Sequence, residues 1–261
     1  MAIVPYAGDR CGKQNPAYGL LWHAPFFHPG SDMKKVSNFS QRSREPKALV
    51  IIGAGHFGQR ALAVLKTRYN GRIWLVDKDE ESLRRVSDGE VHLVHQDAVE
   101  YLTANAYTLS PDDIIVPAVP FHLAYEFAIR ILGKDRVVKR ISVPPDIRPT
   151  LPYVWEGARG SLLISYADFK CPDDCPEPPY CTVTGQKRDK ALYELFEEIN
   201  LEGYSIYVIR SRQMGPGVGG YAMADLMNLC SVIKGTEPRK WLVGTACRCH
   251  GVLSGLELLK G

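Results

Sequence analysis

The sequence has no long apolar run and no large excess of charge of one sign. No stretch approaches the roughly 18 consecutive apolar residues of a membrane helix, and the N-terminus lacks the charged and apolar segments of a secretory signal. The 32 basic and 29 acidic residues give a formal net charge of +3, whereas nucleic-acid-binding domains usually carry a strong basic excess. We therefore expect a cytoplasmic protein with no membrane insertion and no nucleic-acid partner.

Residues 1–46 also lack a periodic apolar pattern. Pro, Gly, His and aromatic residues are mixed there without the spacing of a helix or a strand, and a polar, basic stretch begins at Met33. We predict an irregular N-terminal extension over these residues. Two explanations stay open: Met33 is the natural start of the protein, or the extension is an arm that packs against a neighbouring subunit.

From Ala48 onward the sequence contains the pattern strand, glycine-rich turn, helix. The apolar run ALVII is typical of a buried parallel strand and leads into GAGHFGQRALAVL, whose apolar residues have helical spacing. In a dinucleotide-binding turn the first glycine permits the turn, the second lets the backbone approach a pyrophosphate, and the third allows close helix packing. These positions are Gly53, Gly55 and Gly58, with His56 and Phe57 between them.

The next predicted strand, RIWLV, leads directly to Asp77. A carboxylate at this position can accept hydrogen bonds from ribose hydroxyl groups. Because it repels a ribose 2′-phosphate, it favours NAD over NADP, and the neighbouring Lys78 moderates that preference. Strands and helices continue to alternate, with a fifth strand at RVVKRISV, so we predict a doubly wound parallel sheet, the Rossmann α/β fold, over residues 47–143.

Four stretches of this region, VIIGAGHFGQRAL, LVDKDEESL, HQDA and DDIIVPAV, resemble a known family. They look like the NAD-binding domain of potassium-transport regulators, called KTN, RCK or TrkA N-terminal domains, and are also similar to saccharopine-dehydrogenase-like Rossmann proteins. The resemblance covers about residues 48–133. It implies that the three glycines and Asp77 hold the dinucleotide, and that a residue near Asp97 lies close to the adenine. A homodimer and a membrane-transporter partner are the assemblies that it suggests.

The rest of the chain predicts a linker and a second, smaller α/β unit. Residues 144–160 contain four prolines, which are excluded from helix interiors and central strands, and we predict a linker there. Residues 161–261 follow as a unit with parallel strands at 161–165, 204–210 and 241–246, and with a last short helix at GVLSGLELLK. Parallel strands place their carboxyl ends at one edge of a sheet, so the loops after them should lie together.

Two of these loops, CPDDCPEPPYC and CRCH, contain soft metal ligands. Four thiolates suit an iron–sulfur cluster or, as the alternative, zinc, and cysteine followed by proline favours the cluster. Without a metal, Cys247 and Cys249 would form a thiol redox pair with a cysteine of the first loop. The predicted ligands are Cys171, Cys175, Cys181 and Cys249, with Cys247 and His250 as alternatives to Cys249.

The third loop, RSRQMGPGVGG, is predicted to precede a helix. Such a loop either binds an anion through backbone N–H groups and guanidinium groups or only packs closely. It lacks the Lys-Ser/Thr pair of a P-loop, so hydrolysis of nucleoside triphosphates is not indicated. The candidate anion-binding residues are Arg210, Arg212, Gly217 and Gly219.

Together these features predict an NAD-binding redox protein in which the dinucleotide faces a cysteine-ligated iron–sulfur or zinc centre. The protein would act on a small-molecule ligand as an NAD-dependent oxidoreductase, and no catalytic acid or base is identified. His122, just past the fourth strand, is either a contact to substrate or nicotinamide or a residue of the helix terminus. Two alternatives stay open: a non-enzymatic NAD-sensing and redox-sensing regulator, and a protein whose cysteine site only stabilises the second unit.

Overall fold

The computed structural model describes residues 48–87 and 89–260, which belong to one compact unit. The predicted extension over residues 1–46 and the question of Met33 lie outside these residues. The strands are β1 (Ala48–Ile52), β2 (Arg72–Asp77), β3 (Val91–His95), β4 (Ile114–Pro117), β5 (Val138–Ile141), β6 (Tyr153–Glu156), β7 (Leu162–Ser165), β8 (Tyr204–Arg210), β9 (Arg212–Gly215), β10 (Val218–Ala222), β11 (Arg239–Ala246) and β12 (His250–Leu258). The helices are α1 (His56–Leu65), α2 (Glu80–Arg84), α3 (Ala98–Ala104), α4 (Leu123–Leu132), α5 (Leu192–Glu197) and α6 (Met223–Lys234), with short 3₁₀ helices at Pro145–Thr150 and Ala158–Gly160.

The first sheet has the strand order β3-β2-β1-β4-β10-β9. Its first four strands are parallel. All five residues of β1 are buried because helices cover both faces of the sheet. Val50 and Ile52 pack in the apolar cluster that contains Phe127 of α4, while Leu49 and Ile51 pack in the cluster of α1 on the other face. The predicted Rossmann-like α/β fold is confirmed.

The glycine-rich sequence before α6 forms a β-hairpin, so the prediction of a glycine loop that opens a helix was wrong. β9 and β10 are antiparallel, and Gly217 at their turn has a φ of +71°, a left-handed conformation that favours glycine. β10 then pairs with β4 and extends the first sheet. The helix begins only at Met223, where the Asp225 carboxylate accepts a hydrogen bond from the Ala222 N–H at 2.9 Å.

The second sheet has the strand order β6-β7-β12-β11-β8. β8 is parallel to β11, and β12 is antiparallel to both β11 and β7, so β7, β8 and β11 run in the same direction as predicted. The cysteine loop that follows β7 and the CRCH turn that follows β11 consequently start from the same edge. GVLSGLELLK is part of β12 and not a helix, because the turn after β11 folds it back along that strand, with Gly251 opposite Ala246.

β5 also lies in a different sheet from the one predicted. It was predicted as the fifth strand of the first sheet, but it pairs with the end of β12 in the second sheet, where Ile141 lies opposite Gly255. The range 144–160, predicted as a linker, contains two short 3₁₀ helices and β6, the strand that pairs with β7. The division into two domains stays a prediction, and residues after 160 contribute strands to both sheets.

None of the helices in the part of the chain that the structure describes has both the length and the apolar composition of a membrane span.

Candidate functional site

The glycine-rich turn after β1 leaves open space at one of its three glycines. Gly53 has a φ of +106°, and a Cβ there would lie 2.5 Å from the carbonyl oxygen of Ala118. A Cβ on Gly58 would lie 1.8 Å from the carbonyl oxygen of Gly53, so only glycine lets α1 pack against the turn. Gly55 has no described atom within 4 Å of its Cβ position. This free space, at the N-terminus of α1, fits a pyrophosphate held by backbone N–H groups.

The acidic residues predicted around the dinucleotide have clear local partners. The Asp77 carboxylate accepts hydrogen bonds from the N–H groups of Ala54 at 2.5 Å and Asp79 at 2.8 Å, so it fixes the glycine turn. The Asp97 carboxylate accepts bonds from the first turn of α3 and caps that helix. Asp97 and Lys78 line an open pocket together with Val119. This pocket follows the carboxyl ends of β2, β3 and β4, where open parallel sheets bind ligands.

The four predicted cysteine ligands lie in one pocket. Cys171, Cys175, Cys181 and Cys249 line one narrow pocket together with His250. The Cys171 Sγ lies 3.5 Å from His250 Nε2, and the Arg188 guanidinium contacts the Cys249 sulfur. The six cysteines of the described residues are all free thiols. Tertiary folding thus gathers the ligands of two loops, as the strand directions predict.

The thiols of this cysteine pocket have different electrostatic environments. Burial raises the pKa of Cys171 and raises that of Cys249 to about 12. At Cys181 the hydrogen bond from the Thr184 side chain lowers the pKa to about 7, and the backbone N–H groups of Val183 and Thr184 act in the same direction. A thiol that already receives these hydrogen bonds is prepared to act as a thiolate ligand.

A second group of candidate metal ligands lies beside this pocket and includes a residue that the sequence analysis missed. Ligand atoms of Glu177, Cys247 and His250 all lie within 4.8 Å of one another, whereas the four predicted cysteines do not meet that criterion among the described residues. The distance from Cys247 Sγ to His250 Nδ1 is 4.0 Å. Glu177 was overlooked because a lone acidic residue between two prolines has no recognisable spacing; only folding brings it to the CRCH turn.

A mainly apolar pocket connects this group to the first sheet. It is lined by Pro117 and Val119 at the carboxyl end of β4 and, on its other side, by Glu177, Cys247 and His250. The carboxyl end of β4 also lines the larger pocket that holds Lys78 and Asp97. The candidate dinucleotide crevice and the candidate metal ligands are therefore neighbours.

Direct contacts hold the cysteine loop against the glycine-rich turn and the β9–β10 hairpin. Arg60 of α1 donates from Nε to the carbonyl oxygen of Asp173 at 3.0 Å, and His56 Nε2 lies 3.3 Å from the Asp173 carboxylate. The carbonyl oxygen of Cys175 accepts bonds from the Gly217 N–H at 3.0 Å and from the Gln213 side chain at 2.9 Å. The position of the cysteine loop is thus set by the nucleotide-binding half of the fold.

The residues predicted to bind an anion have protein partners. Arg212 forms an ion pair with Asp225 at 3.2 Å, and the guanidinium of Arg210 lies 4.3 Å from the centre of the Tyr193 ring. The Gly217 N–H already donates to Cys175, and a Cβ on Gly219 would lie 2.5 Å from the Ser211 hydroxyl. These contacts account for the close packing of the hairpin, and anion binding stays a prediction.

His122 is a buried residue that lines two of these pockets, the one beside Lys78 and Asp97 and the one that reaches Cys247 and His250. Its Nδ1 lies 2.9 Å from the Ser254 hydroxyl and its Nε2 lies 2.9 Å from the Thr245 hydroxyl. Burial lowers the pKa of His122 to about 3, so the ring is neutral at physiological pH. Cys230 lies away from these sites. It is buried in the apolar face of α6, where desolvation raises its pKa to about 12. It lines neither the cysteine pocket nor the two pockets that His122 lines.

The first sheet and its glycine-rich turn belong to the class of Rossmann-like, nucleotide-binding domains. The TrkA-N domain family matches residues 49–120, which confirms the resemblance to the KTN and RCK domains. A second family, described as the C-terminal domain of an uncharacterized protein, matches residues 122–259, more than half of the chain. The chain belongs to this family.

Similar proteins come from archaea. An Archaeoglobus fulgidus protein, named only as an uncharacterized protein, is 31% identical over 224 residues, which are 80% of this chain and 98% of that protein. A MEMO1 family protein of Nitrosopumilus maritimus is 20% identical over 234 residues, 85% of this chain and 75% of that protein. A methyltransferase candidate of known structure from Thermoplasma acidophilum aligns with a TM-score of only 0.26 at 12% identity, over 40% of this chain and 60% of its own.

Proposed function

We propose that this protein is an NAD-binding redox protein in which the nicotinamide end of the dinucleotide reaches a cysteine-ligated metal centre. The observation that carries the proposal is the pocket that Val119, at the carboxyl end of β4, shares with Cys247 and His250. In a Rossmann fold the dinucleotide lies along this edge of the sheet, with its pyrophosphate at the glycine-rich turn. The cysteine loop contacts the first turns of α1, which follow that glycine-rich turn, through Arg60 and His56.

The residues present fit the dinucleotide. Gly55 offers open space for the pyrophosphate, and the pocket beside Lys78 and Asp97 has room for the adenosine half. The Asp77 carboxylate, held by the Ala54 N–H, disfavours a 2′-phosphate on the ribose, so we infer NAD and not NADP. When bound, the nicotinamide exchanges a hydride with a substrate.

The donor set also fits a metal. Thiolates with an imidazole nitrogen suit zinc, and thiolates alone suit zinc or an iron–sulfur cluster. Zinc is compatible with hydride exchange at a carbonyl because it polarises the oxygen. A cluster accepts single electrons, so it would need a two-electron intermediary between itself and the dinucleotide. The neutral ring of His122, fixed between the Ser254 and Thr245 hydroxyls, would orient groups at the junction of the two pockets.

A regulatory function is the second candidate, and the TrkA-N match favours it. In that case the dinucleotide and the state of the cysteine site would bias one conformation or one assembly of the protein. A potassium-transporter partner belongs to this second candidate.

Purification without oxygen, followed by an absorption spectrum, metal analysis and calorimetric titration with NADH, tests the proposal. We expect stoichiometric metal, NADH binding and oxidation of NADH by a small carbonyl compound. NADH binding with a change of oligomeric state and no turnover over a panel of carbonyl compounds would favour the regulatory function. Failure to bind NADH in a folded, metal-loaded sample would refute both.

A further inference from the structure

We propose that Glu177, Cys247 and His250 form an open, three-ligand zinc site that is separate from the pocket lined by the four cysteines 171, 175, 181 and 249. The inference deepens the proposed function, and it rests on that function only for the reaction, not for the metal. Structural zinc sites have four protein ligands, whereas catalytic sites have three and leave one position for water or substrate.

The three side chains have the arrangement that such a site needs. Their ligand atoms lie within 4.8 Å of one another, and the Cys247 Sγ and His250 Nδ1 are 4.0 Å apart. Ligand atoms of a tetrahedral zinc are separated by roughly 3.3–3.8 Å, given Zn–N and Zn–S bonds of about 2.0–2.3 Å. Small side-chain movements would close the difference. Cys247 and His250 are buried and Glu177 is half-buried at the pocket, so one side of the group faces open space.

The backbone around these ligands is shaped to present them. Glu177 has a φ of +51°, a strained conformation for a residue other than glycine, and strain of this kind concentrates at functional sites. The Cys247 sulfur accepts hydrogen bonds from the N–H groups of Cys249 at 3.5 Å and His250 at 3.4 Å. Such bonds orient a metal-binding thiolate and stabilise its charge.

His250 decides how the ligands divide between two sites. Its Nδ1 faces Cys247, whereas its Nε2 faces Cys171 at 3.5 Å. If Nδ1 binds the metal, the Nε2–H can donate to the Cys171 sulfur, and this outer contact fixes the ring. The cysteine pocket then retains Cys171, Cys175, Cys181 and Cys249. No three of these sulfurs lie within 4.8 Å of one another, so they would have to move closer together to bind one metal ion as a closed site.

The open position faces the pocket that reaches β4, and the lining of that pocket indicates the class of substrate. Apart from the ligands and His122, its walls are mainly apolar and include Phe121, Tyr221 and Val252. A small apolar molecule with one hydroxyl or carbonyl oxygen fits this environment. A zinc ion held by Glu177, Cys247 and His250 would polarise that oxygen, and oxidation of an alcohol by NAD⁺ would then give a carbonyl compound and NADH, with the hydroxyl proton released to solvent.

Metal content after dialysis against a mild chelator tests the inference. We expect two zinc ions per chain in the native protein, or one zinc and one iron–sulfur cluster. Glu177→Gln should lose one zinc and retain the other centre, whereas Cys175→Ser should lose the other centre and retain that zinc. Glu202→Gln, an exposed carboxylate elsewhere, is the matched control and should keep both.

Cobalt substitution identifies the ligands without any activity measurement. Co²⁺ in the open site should change its absorption when imidazole or azide is added, because a coordination position is free, and Glu177→Gln should abolish that change. Circular dichroism shows whether each variant is folded, and Cys247→Ser provides a second test if Glu177→Gln is not. A single metal that is lost in both Glu177→Gln and Cys175→Ser, or two metals that survive Glu177→Gln and Cys247→Ser, would overturn the inference.

Calorimetry with NADH separates this inference from the proposed function. Two metal centres in a protein that does not bind NADH would support the divided ligand sets and refute the redox function. NADH binding with only one shared metal centre would refute the divided ligand sets and leave the redox function supported.

Discussion

Replacement of Gly55 by alanine should separate dinucleotide binding from stability. The φ and ψ angles of Gly55 are −68° and −167°, which alanine adopts without strain, and no described atom lies within 4 Å of the new Cβ. At Gly58, three residues later, the same substitution would place the Cβ 1.8 Å from the carbonyl oxygen of Gly53. The two variants add the same methyl group, one toward the expected pyrophosphate and one into the protein.

The two substitutions, Gly55→Ala and Gly58→Ala, should change the stability of the protein in opposite directions. Gly55→Ala should raise the free energy of unfolding by about 0.4–1 kcal/mol because it restricts the unfolded chain, an increase in Tm of about 1–4 °C for a chain of this size. Gly58→Ala should lower it by about 1–3 kcal/mol through overpacking. If Gly55→Ala breaks two hydrogen bonds from N–H groups to phosphate, each worth about 1.5–3 kcal/mol, the affinity for NADH should fall by about 100-fold or more.

Thermal unfolding followed by circular dichroism and calorimetric titration with NADH measure the two effects. Gly89→Ala is the matched control, because Gly89 also has no described atom within 4 Å of its Cβ position but lies in a turn before β3. It should leave NADH affinity unchanged. An unchanged affinity in Gly55→Ala, or a loss of affinity only in proportion to a loss of fold, would refute the assignment of the glycine turn.

The remaining predictions concern three other positions. Gly217→Ala should displace the cysteine loop and reduce the metal content, because its Cβ would lie 1.6 Å from the Asp173 carbonyl oxygen. Gly203→Ala is the control, since Gly203 has a similar positive φ but no neighbour within 4 Å, and it should retain the metal. Equal loss of metal in both variants would contradict the reasoning. Burial lowers the pKa of His122 from 6.5 to about 3, so below pH 6.5 the ring takes up a proton in the unfolded chain but not in the folded protein. The contribution of His122 to stability is therefore complete above pH 6.5 and is lost as the pH falls toward 3. By pH 5 the free energy of unfolding should have fallen by about 2 kcal/mol from this residue. Chemical denaturation should show that the free energy of unfolding changes less between pH 8 and pH 5 in His122→Gln than in the wild type. An identical change in the two proteins would count against a buried, neutral His122. Asp77→Ser should raise the affinity for NADPH relative to NADH by about tenfold through loss of the carboxylate charge, and an unchanged ratio in competition binding would argue against a ribose site beside Asp77.

The N-terminal half of the fold was predictable because its pattern is local. A continuous apolar run, a turn with three spaced glycines and an amphipathic helix are each read within a few residues, and the parallel sheet follows from their alternation. The last part of the chain was less predictable. GVLSGLELLK has no strict alternation because most of β12 is buried on both faces, so its apolar residues were compatible with a helix.

Glycine composition alone misled the prediction of the β9–β10 hairpin. A glycine-rich stretch before a helix suggests an anion-binding loop, yet Gly217 occupies the left-handed turn position of a hairpin that joins β4. The pairing partner that decides between the two lies about a hundred residues earlier in the chain, and no local pattern reports it. For the same reason β5 was placed in the first sheet, although it pairs with β12.

The sequence by itself determined the nucleotide-binding turn, the loops that contain the cysteines and the common direction of the strands that precede them, because these depend on local spacing and on the handedness of crossover connections. Only the tertiary structure decided which side chains meet. It placed Glu177 beside Cys247 and His250, and it placed that group at the carboxyl end of β4. Such contacts between distant residues depend on strand pairing and loop packing over the whole chain, so no single segment of the sequence encodes them.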